Sequence, residues 1–222
     1  MQINKSLIWD FDEKEKSMVA VIDYDAGNVK SVLKAFRALG QETCLTRDPE
    51  VIFGADHVVL PGVGNFGDAA HKLRAFGLED VVRQVAESGT PFIGICVGLQ
   101  LFYEGSAESP EADGLGFFEG RCKRFNEKTG FKVPQIGWNS LHLAHGGRLF
   151  EGIEDGAFVY FVHSYYVPAA DEEFVKATAS YSDEAVASVE RGNIFACQFH
   201  PEKSGQVGLR ILQNFLNIRK EA

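Results

Sequence analysis

The chain has 222 residues, 45% of them apolar and 24% charged, a globular composition long enough to bury a substantial core without disulfide or metal staples. Lysine and arginine number 22 against 31 aspartates and glutamates, a balance of −9, which argues against broad contact with nucleic acid or an anionic membrane. The 4 cysteines, Cys44, Cys96, Cys122 and Cys197, form no C-x-x-C pair; with neither a secretory signal nor a bilayer-spanning apolar run in view, a cytoplasmic protein with free thiols is expected, without metal or cofactor.

Residues 1–17 carry the charge run Asp10-Phe11-Asp12-Glu13-Lys14-Glu15-Lys16 and are set apart as an N-terminal extension of unassigned role, leaving 18–222 as a single domain. From Met18 the chain alternates strand and helix. The run 18–24 is continuously apolar, as in a strand buried on both faces. A helix follows with Val29, Val32, Leu33, Phe36 and Leu39 on one side and Gly40 at its stop. Residues 42–46 and 57–60 read as the second and third strands. Leu78, Val81, Val82 and Val85 mark a helix ended by Gly89, and 91–95 is a fourth buried strand. This order predicts an α/β domain whose mostly parallel sheet carries helices on both faces. In the C-terminal half, 121–125, 158–162, 174–181, 185–190 and 194–199 read as short strands added to that sheet as antiparallel hairpins. A closing helix begins near Gly205, with Val207, Ile211, Leu212, Phe215 and Ile218 on one side.

Four segments carry residues suited to chemistry. Gly94-Ile95-Cys96-Val97-Gly98 has the glycine-nucleophile-glycine form of a nucleophile elbow, with a strand before it and a helix-like stretch from Leu99 after it. A thiolate there would be favoured by the helix N-terminus, although the pentapeptide alone equally suits a core cysteine. Gln198-Phe199-His200-Pro201-Glu202 follows the last strand, and two-residue spacing lets His200 and Glu202 share one side of an extended chain. A carboxylate beside an imidazole fixes its tautomer and favours the imidazolium that a Cys-His pair needs. Pro61-Gly62-Val63-Gly64-Asn65-Phe66-Gly67 fits a dinucleotide-binding glycine pattern. It follows the third strand rather than the first, and no acidic strand-end residue lies about twenty positions on, so backbone donation to an oxyanion is the better reading. In the aromatic run Tyr160-Phe161-Val162-His163-Ser164-Tyr165-Tyr166, Phe161 and Val162 read as core. His142 and His145 lack a third ligand and are assigned no metal.

Taken together, Pro61 to Gly64, Gly94 to Gln100 and Gln198 to Ser204 resemble the three blocks of a triad-type, class I glutamine amidotransferase. Ile136-Gly137-Trp138-Asn139 and Phe161 to Tyr165 narrow the resemblance to the glutaminase subunits of imidazole glycerol phosphate synthases, covering Met18 to about Ile218. The resemblance implies a flavodoxin-like class I fold and a triad of Cys96, His200 and Glu202. It implies an oxyanion site from the backbone of Gly62, Val63 and Val97, and glutamine held by Gly64, Gln100, His163, Ser164 and Tyr165. It further implies a heterodimer with a (β/α)8-barrel cyclase, contacted through Asn28, Trp138, Tyr160 and Lys203, to which ammonia passes in histidine biosynthesis. For Trp138 and Tyr160 core packing is the competing reading. Rival functions are a glutaminase feeding another synthase, a stand-alone cysteine hydrolase, and a flavodoxin-like binding module without catalysis.

Overall fold

The computed structural model describes residues 17–27, 29–127, 130–144, 147–169 and 172–220. Five parallel strands form the centre: β1 (Met18–Ile22), β2 (Glu42–Thr46), β3 (His57–Gly62), β4 (Phe92–Cys96) and, much later, β14 (Ile194–Cys197). Their spatial order, β2-β1-β3-β4-β14, is that of a doubly wound flavodoxin-like sheet, whose ligands bind at the carboxyl ends of the strands. Every residue of β3 and β4 is buried, so both faces of the centre are covered, which is why these strands read as unbroken apolar runs.

The helices supply that cover. In α1 (Lys30–Ala38) Val32, Leu33, Ala35 and Phe36 turn inward, and Phe36 meets Phe215 of α6 (Gly205–Asn217) with ring centroids 6.3 Å apart. Two helices escape the apolar-periodicity reading because their signal lies in their caps. Short α2 (Pro49–Phe53) starts at Asp48, whose side chain accepts from Glu50 N at 3.0 Å, with proline in the first turn. Asn65 likewise caps α3 (Phe66–Ala75), accepting from Asp68 N at 3.0 Å. α4 (Glu79–Glu87) buries Val81, Val82 and Val85, and α5 (Val97–Phe102) is buried throughout. Just before β1, Ser17 donates from N and Oγ to Gln41 Oε1, at 2.9 and 2.7 Å. Residues 1–16 lie outside the described residues.

The C-terminal half corrects the sequence reading. β13 (Glu184–Arg191) and β12 (Val175–Ser180) do extend the main sheet beyond β14 through successive antiparallel pairings, with β9 (His142–Leu143) at the edge. The segments read at 121–125 and 158–162 do not join it. β7 (Arg121–Arg124) belongs to a four-stranded sheet with β5 (Gly105–Ser106), β6 (Ser109–Asp113) and β11 (Tyr165–Tyr166). β10 (Phe158–His163) pairs only with β8 (Gln135–Ser140), as a two-stranded ribbon. β8 was not legible as a strand because Gly137, at φ +132°, interrupts its side-chain alternation. The strand read at 194–199 ends at Cys197, and residues 201–203 form a 3₁₀ turn, Pro201–Lys203, that leads into α6.

Candidate active site

The Cys96 backbone carries the strongest local signature. It sits at φ 56°, ψ −106° between β4 and α5, and among the described residues only Asp25 is another non-glycine with positive φ. Such a conformation costs roughly 1–3 kcal/mol and persists only where its surroundings enforce it. Here the packing does so. A Cβ on Gly98 would lie 2.2 Å from Leu60 O, and one on Gly62 would lie 2.7 Å from Gly98 N. The elbow therefore presses directly on β3, in which Gly62 stands opposite Cys96. Gly98→Ala is expected to destabilise the fold by about 1–3 kcal/mol or more, since the clash is with backbone; chemical denaturation measures it.

β14 brings the second half of the site alongside, pairing Cys197 with Ile95. His200 caps the 3₁₀ turn and Glu202 lies within it, so the two meet through the turn rather than through an extended chain as the sequence suggested. His200 Nδ1 and Glu202 Oε1 are 2.8 Å apart, with side chains only 2% and 3% exposed. Burial alone would lower the imidazole pKa. Hydrogen bonding and charge from Cys96 and from Glu202 outweigh it, and His200 is raised to about 10. Among the described residues its Nε2 has no partner besides the Cys96 sulfur, which leaves that nitrogen to the sulfur and to whatever binds there. Sγ of Cys96 points toward Val162 O at 4.0 Å. An imidazole–carboxylate pair and a cysteine sulfur are thus buried together at the carboxyl edge of the sheet.

The remaining residues singled out in the sequence fall around this centre to different degrees. Tyr24 reaches from the end of β1 to donate to Pro61 O at 2.5 Å, fixing the strand end that carries Gly62. Val63 is 39% exposed and Gly64 has φ +96°. Gln100, buried in α5, donates from Nε2 both to Tyr165 O at 3.0 Å and to Gln198 Oε1 at 3.1 Å. Both amide hydrogens are thus committed, and only its Oε1 can meet a ligand, as an acceptor. His163 Nδ1 donates to Tyr165 O at 2.8 Å. Burial, opposed by that bond and aided by the charge on His200, pushes His163 down to about 4, so its unpartnered Nε2 is a lone pair at neutral pH. Ser164 and Tyr165 are half-buried. Asn28 lies outside the described residues.

Trp138 and Tyr160 are not core. Trp138 is 55% exposed, with Ile136 and Phe158 beside it at 63% and 57%. The β8–β10 register sets Tyr160 opposite Trp138 and Val162 opposite Ile136, so one face of the ribbon is an apolar surface open to solvent. Lys203 Nζ stands 5.8 Å over the Tyr160 ring, linking that surface to the turn that carries His200 and Glu202. Sequence reasoning found Trp138 and Tyr160 but missed Ile136 and Phe158, which only the register aligns with them. It also gave no role to Gln198, whose buried amide donates to Cys96 Sγ at 3.7 Å. No group of three or more His, Cys, Asp or Glu fit to hold a metal occurs among the described residues, and no helix among them is long and apolar enough to cross a membrane.

Comparisons agree with this geometry. The class-I glutamine amidotransferase family model matches residues 20–218. The imidazole glycerol phosphate synthase subunit HisH of Thermosynechococcus vestitus is 46% identical over 205 residues, 91% of this chain and 98% of that protein. The HisH subunit of Geobacillus thermodenitrificans is 45% identical over 206 residues, 91% and 96% of the two chains. Among solved structures, PurLQS from Thermotoga maritima superposes with a TM-score of 0.72 at 21% identity, covering 91% of this chain and 99% of that one. A glutamine amidotransferase crystal structure gives 0.68 at 24%, covering 89% and 96%; at these identities the likeness is one of fold. Strained elbow, matched family model and whole-length relatives converge: the chain belongs to the class-I glutamine amidotransferases, in the branch of the imidazole glycerol phosphate synthase HisH subunits.

Proposed function

We propose that this chain hydrolyses glutamine through a Cys96 γ-glutamyl thioester and delivers the ammonia to a (β/α)8-barrel cyclase subunit, which uses it to make imidazole glycerol phosphate and aminoimidazole carboxamide ribotide. The observation that carries the reading is the buried His200–Glu202 pair, 2.8 Å apart, whose free Nε2 adjoins a cysteine on a strained elbow.

Cys96 sulfur attacks the side-chain amide carbon. The oxygen that becomes negative is met by backbone N–H groups of Val97 and of the Gly62–Val63 peptide, adjacent across the β3–β4 pairing. His200, held as imidazolium, gives its proton to the departing nitrogen, which leaves as ammonia, and the thioester remains. Acylation removes the negative charge from sulfur. Since Cys96 is one of the two groups that raise His200, the imidazole then loses much of its upward bias and becomes a base able to take a proton from water. Glu202 keeps Nδ1 protonated throughout, so Nε2 does the exchanging. One residue thus serves first as acid and then as base, and the state of the sulfur switches it.

Glutamine is held by Gly64, by the Gln100 Oε1 acceptor, and by the 163–165 segment that Gln100 and His163 brace at Tyr165 O. The acceptor suits the ammonium or amide hydrogens of the substrate. The partner docks on the Ile136, Trp138, Phe158 and Tyr160 face together with Lys203, covering a surface of the apolar and aromatic kind that interfaces bury, and Asn28 is assigned to the same contact. Free ammonia would be protonated in water at neutral pH and lost as a nucleophile, hence a docked acceptor beside the site. The test is glutamate release and imidazole glycerol phosphate formation by the full chain, alone and with the cyclase subunit and its ribonucleotide. Glutamine-dependent product is expected only with both subunits. Product formed with ammonium salts but never with glutamine would overturn the reading.

A further inference from the structure

Gln198 is fully buried and lies in the bend between Cys197 and His200. A buried primary amide is costly unless its donors and acceptor are paired, and here the pairing has one consistent orientation. Tyr165 O is a backbone carbonyl and can only accept. The atom of Gln100 that lies 3.0 Å from it must therefore be nitrogen. That same nitrogen lies 3.1 Å from the Gln198 side chain, so the Gln198 atom facing it must be oxygen. The Gln198 nitrogen is left 3.7 Å from Cys96 Sγ. The chain of amides thus begins at a fixed carbonyl and ends by aiming an N–H at the nucleophile. A thiol gains little from such a donor, whereas a thiolate gains a charge-assisted bond.

We propose that Gln198 is a further residue of the reacting centre: its amide holds the Cys96 sulfur as thiolate and fixes its direction, with Gln100 setting the orientation of the donor. The inference rests on Cys96 being the nucleophile assigned above. It also makes the substrate-facing Gln100 and the reacting sulfur parts of one hydrogen-bonded unit, so that a change in either is felt at the other. The bond is made before glutamine arrives, and it weakens once the sulfur is acylated and neutral. Its benefit is therefore spent on forming the nucleophile rather than on holding substrate.

Two variants of the full-length chain test this. Gln198→Met removes donor and acceptor at similar length. Gln198→Glu keeps the acceptor for Gln100 and turns an oxygen toward the sulfur. The primary readout is alkylation of Cys96 by iodoacetamide across pH, with the site of modification confirmed by mass spectrometry. In both variants the rate at neutral pH is expected to fall about tenfold, with the deficit closing as pH rises. With the cyclase present, kcat for glutamine falls while KM stays within about twofold. Alkylation profiles that superpose on the parent's in either folded variant would overturn the proposal. So would a raised KM with unchanged kcat, which would move Gln198 to the substrate pocket. If the methionine variant does not fold, the glutamate variant decides alone, and its failure to fold as well would assign Gln198 to the core and overturn the proposal. Because alkylation needs neither glutamine nor partner, a parent chain without glutaminase activity would sink the proposed function and leave this result readable.

Discussion

Cys96→Ser is expected to reduce glutamine hydrolysis on the order of 10⁶-fold, the scale on which removing a nucleophile silences a cooperating set of residues. The loss is not a matter of folding, because serine fits wherever cysteine does at this elbow. The hydroxyl is a far weaker nucleophile than a thiolate and keeps its proton until a base removes it. In the parent, Cys96 and Glu202 together raise His200 to about 10 and set it up to donate; serine withdraws the Cys96 share of that bias without supplying an ionised nucleophile. A site whose imidazole is poised to donate does not convert to serine chemistry by exchanging one atom. Glutamate release with the cyclase subunit present measures the loss. The double variant Cys96→Ser, His200→Ala should be no worse than Cys96→Ser alone, since the two residues act as a unit. Activity retained within tenfold in Cys96→Ser would remove the thioester route.

Glu202→Gln is expected to lower kcat by on the order of 10⁴-fold and to change the pH dependence in a defined direction. The carboxylate accepts from Nδ1 at 2.8 Å. Glutamine can present its amide nitrogen there instead, which favours the Nε2–H tautomer and leaves no lone pair on Nε2 to take a proton from water. The imidazolium also loses one of the two partners that raise it. With Glu202 in place, the folded-state pKa of His200 lies above its unfolded value near 6.5. The stabilisation from charging His200 is thus complete below about 6.5 and is lost as pH climbs toward about 10. Unfolding free energies across that window should fall with pH in the parent and fall less in Glu202→Gln. Parallel curves for parent and variant would mean that the carboxylate does not hold the imidazolium.

What could be read from the sequence follows from what each residue type advertises. Strands buried on both faces are unbroken apolar runs, so β1, β3 and β4 stood out. Cys96, His200 and Glu202 were legible because a nucleophile between glycines and a histidine beside a carboxylate are rare at strand ends. The glycines at 62, 94 and 98 were legible too, and their reason is steric. The route by which Glu202 meets His200 was misread, since a 3₁₀ turn and a short extended segment look alike when proline stands between the two residues. The β8–β10 ribbon was hidden for another reason. Strand partners separated by a long connection leave no local trace, and Ile136 and Phe158 become neighbours of Trp138 only through a register that spans it. Gln198 lay in full view inside a quoted block. A neutral amide carries no sign of what it faces until the fold closes around it.

The ribbon bears on one more matter. Its strands pair only with each other, yet the Tyr160 backbone is fastened to the turn that carries the imidazole. His200 N donates to Tyr160 O at 2.9 Å, Tyr160 N donates to Ser204 Oγ at 3.0 Å, and Ser204 Oγ donates to His200 O at 2.6 Å. Its outward side chains are therefore portable, open to exchange for those of a different recruit without disturbing the parallel strands, while its main chain is not. If this face docks the partner as proposed, a transplant that rewrites the positions of Ile136, Trp138 and Phe158 changes whom this machine serves. One that bends the backbone beneath them changes whether it runs.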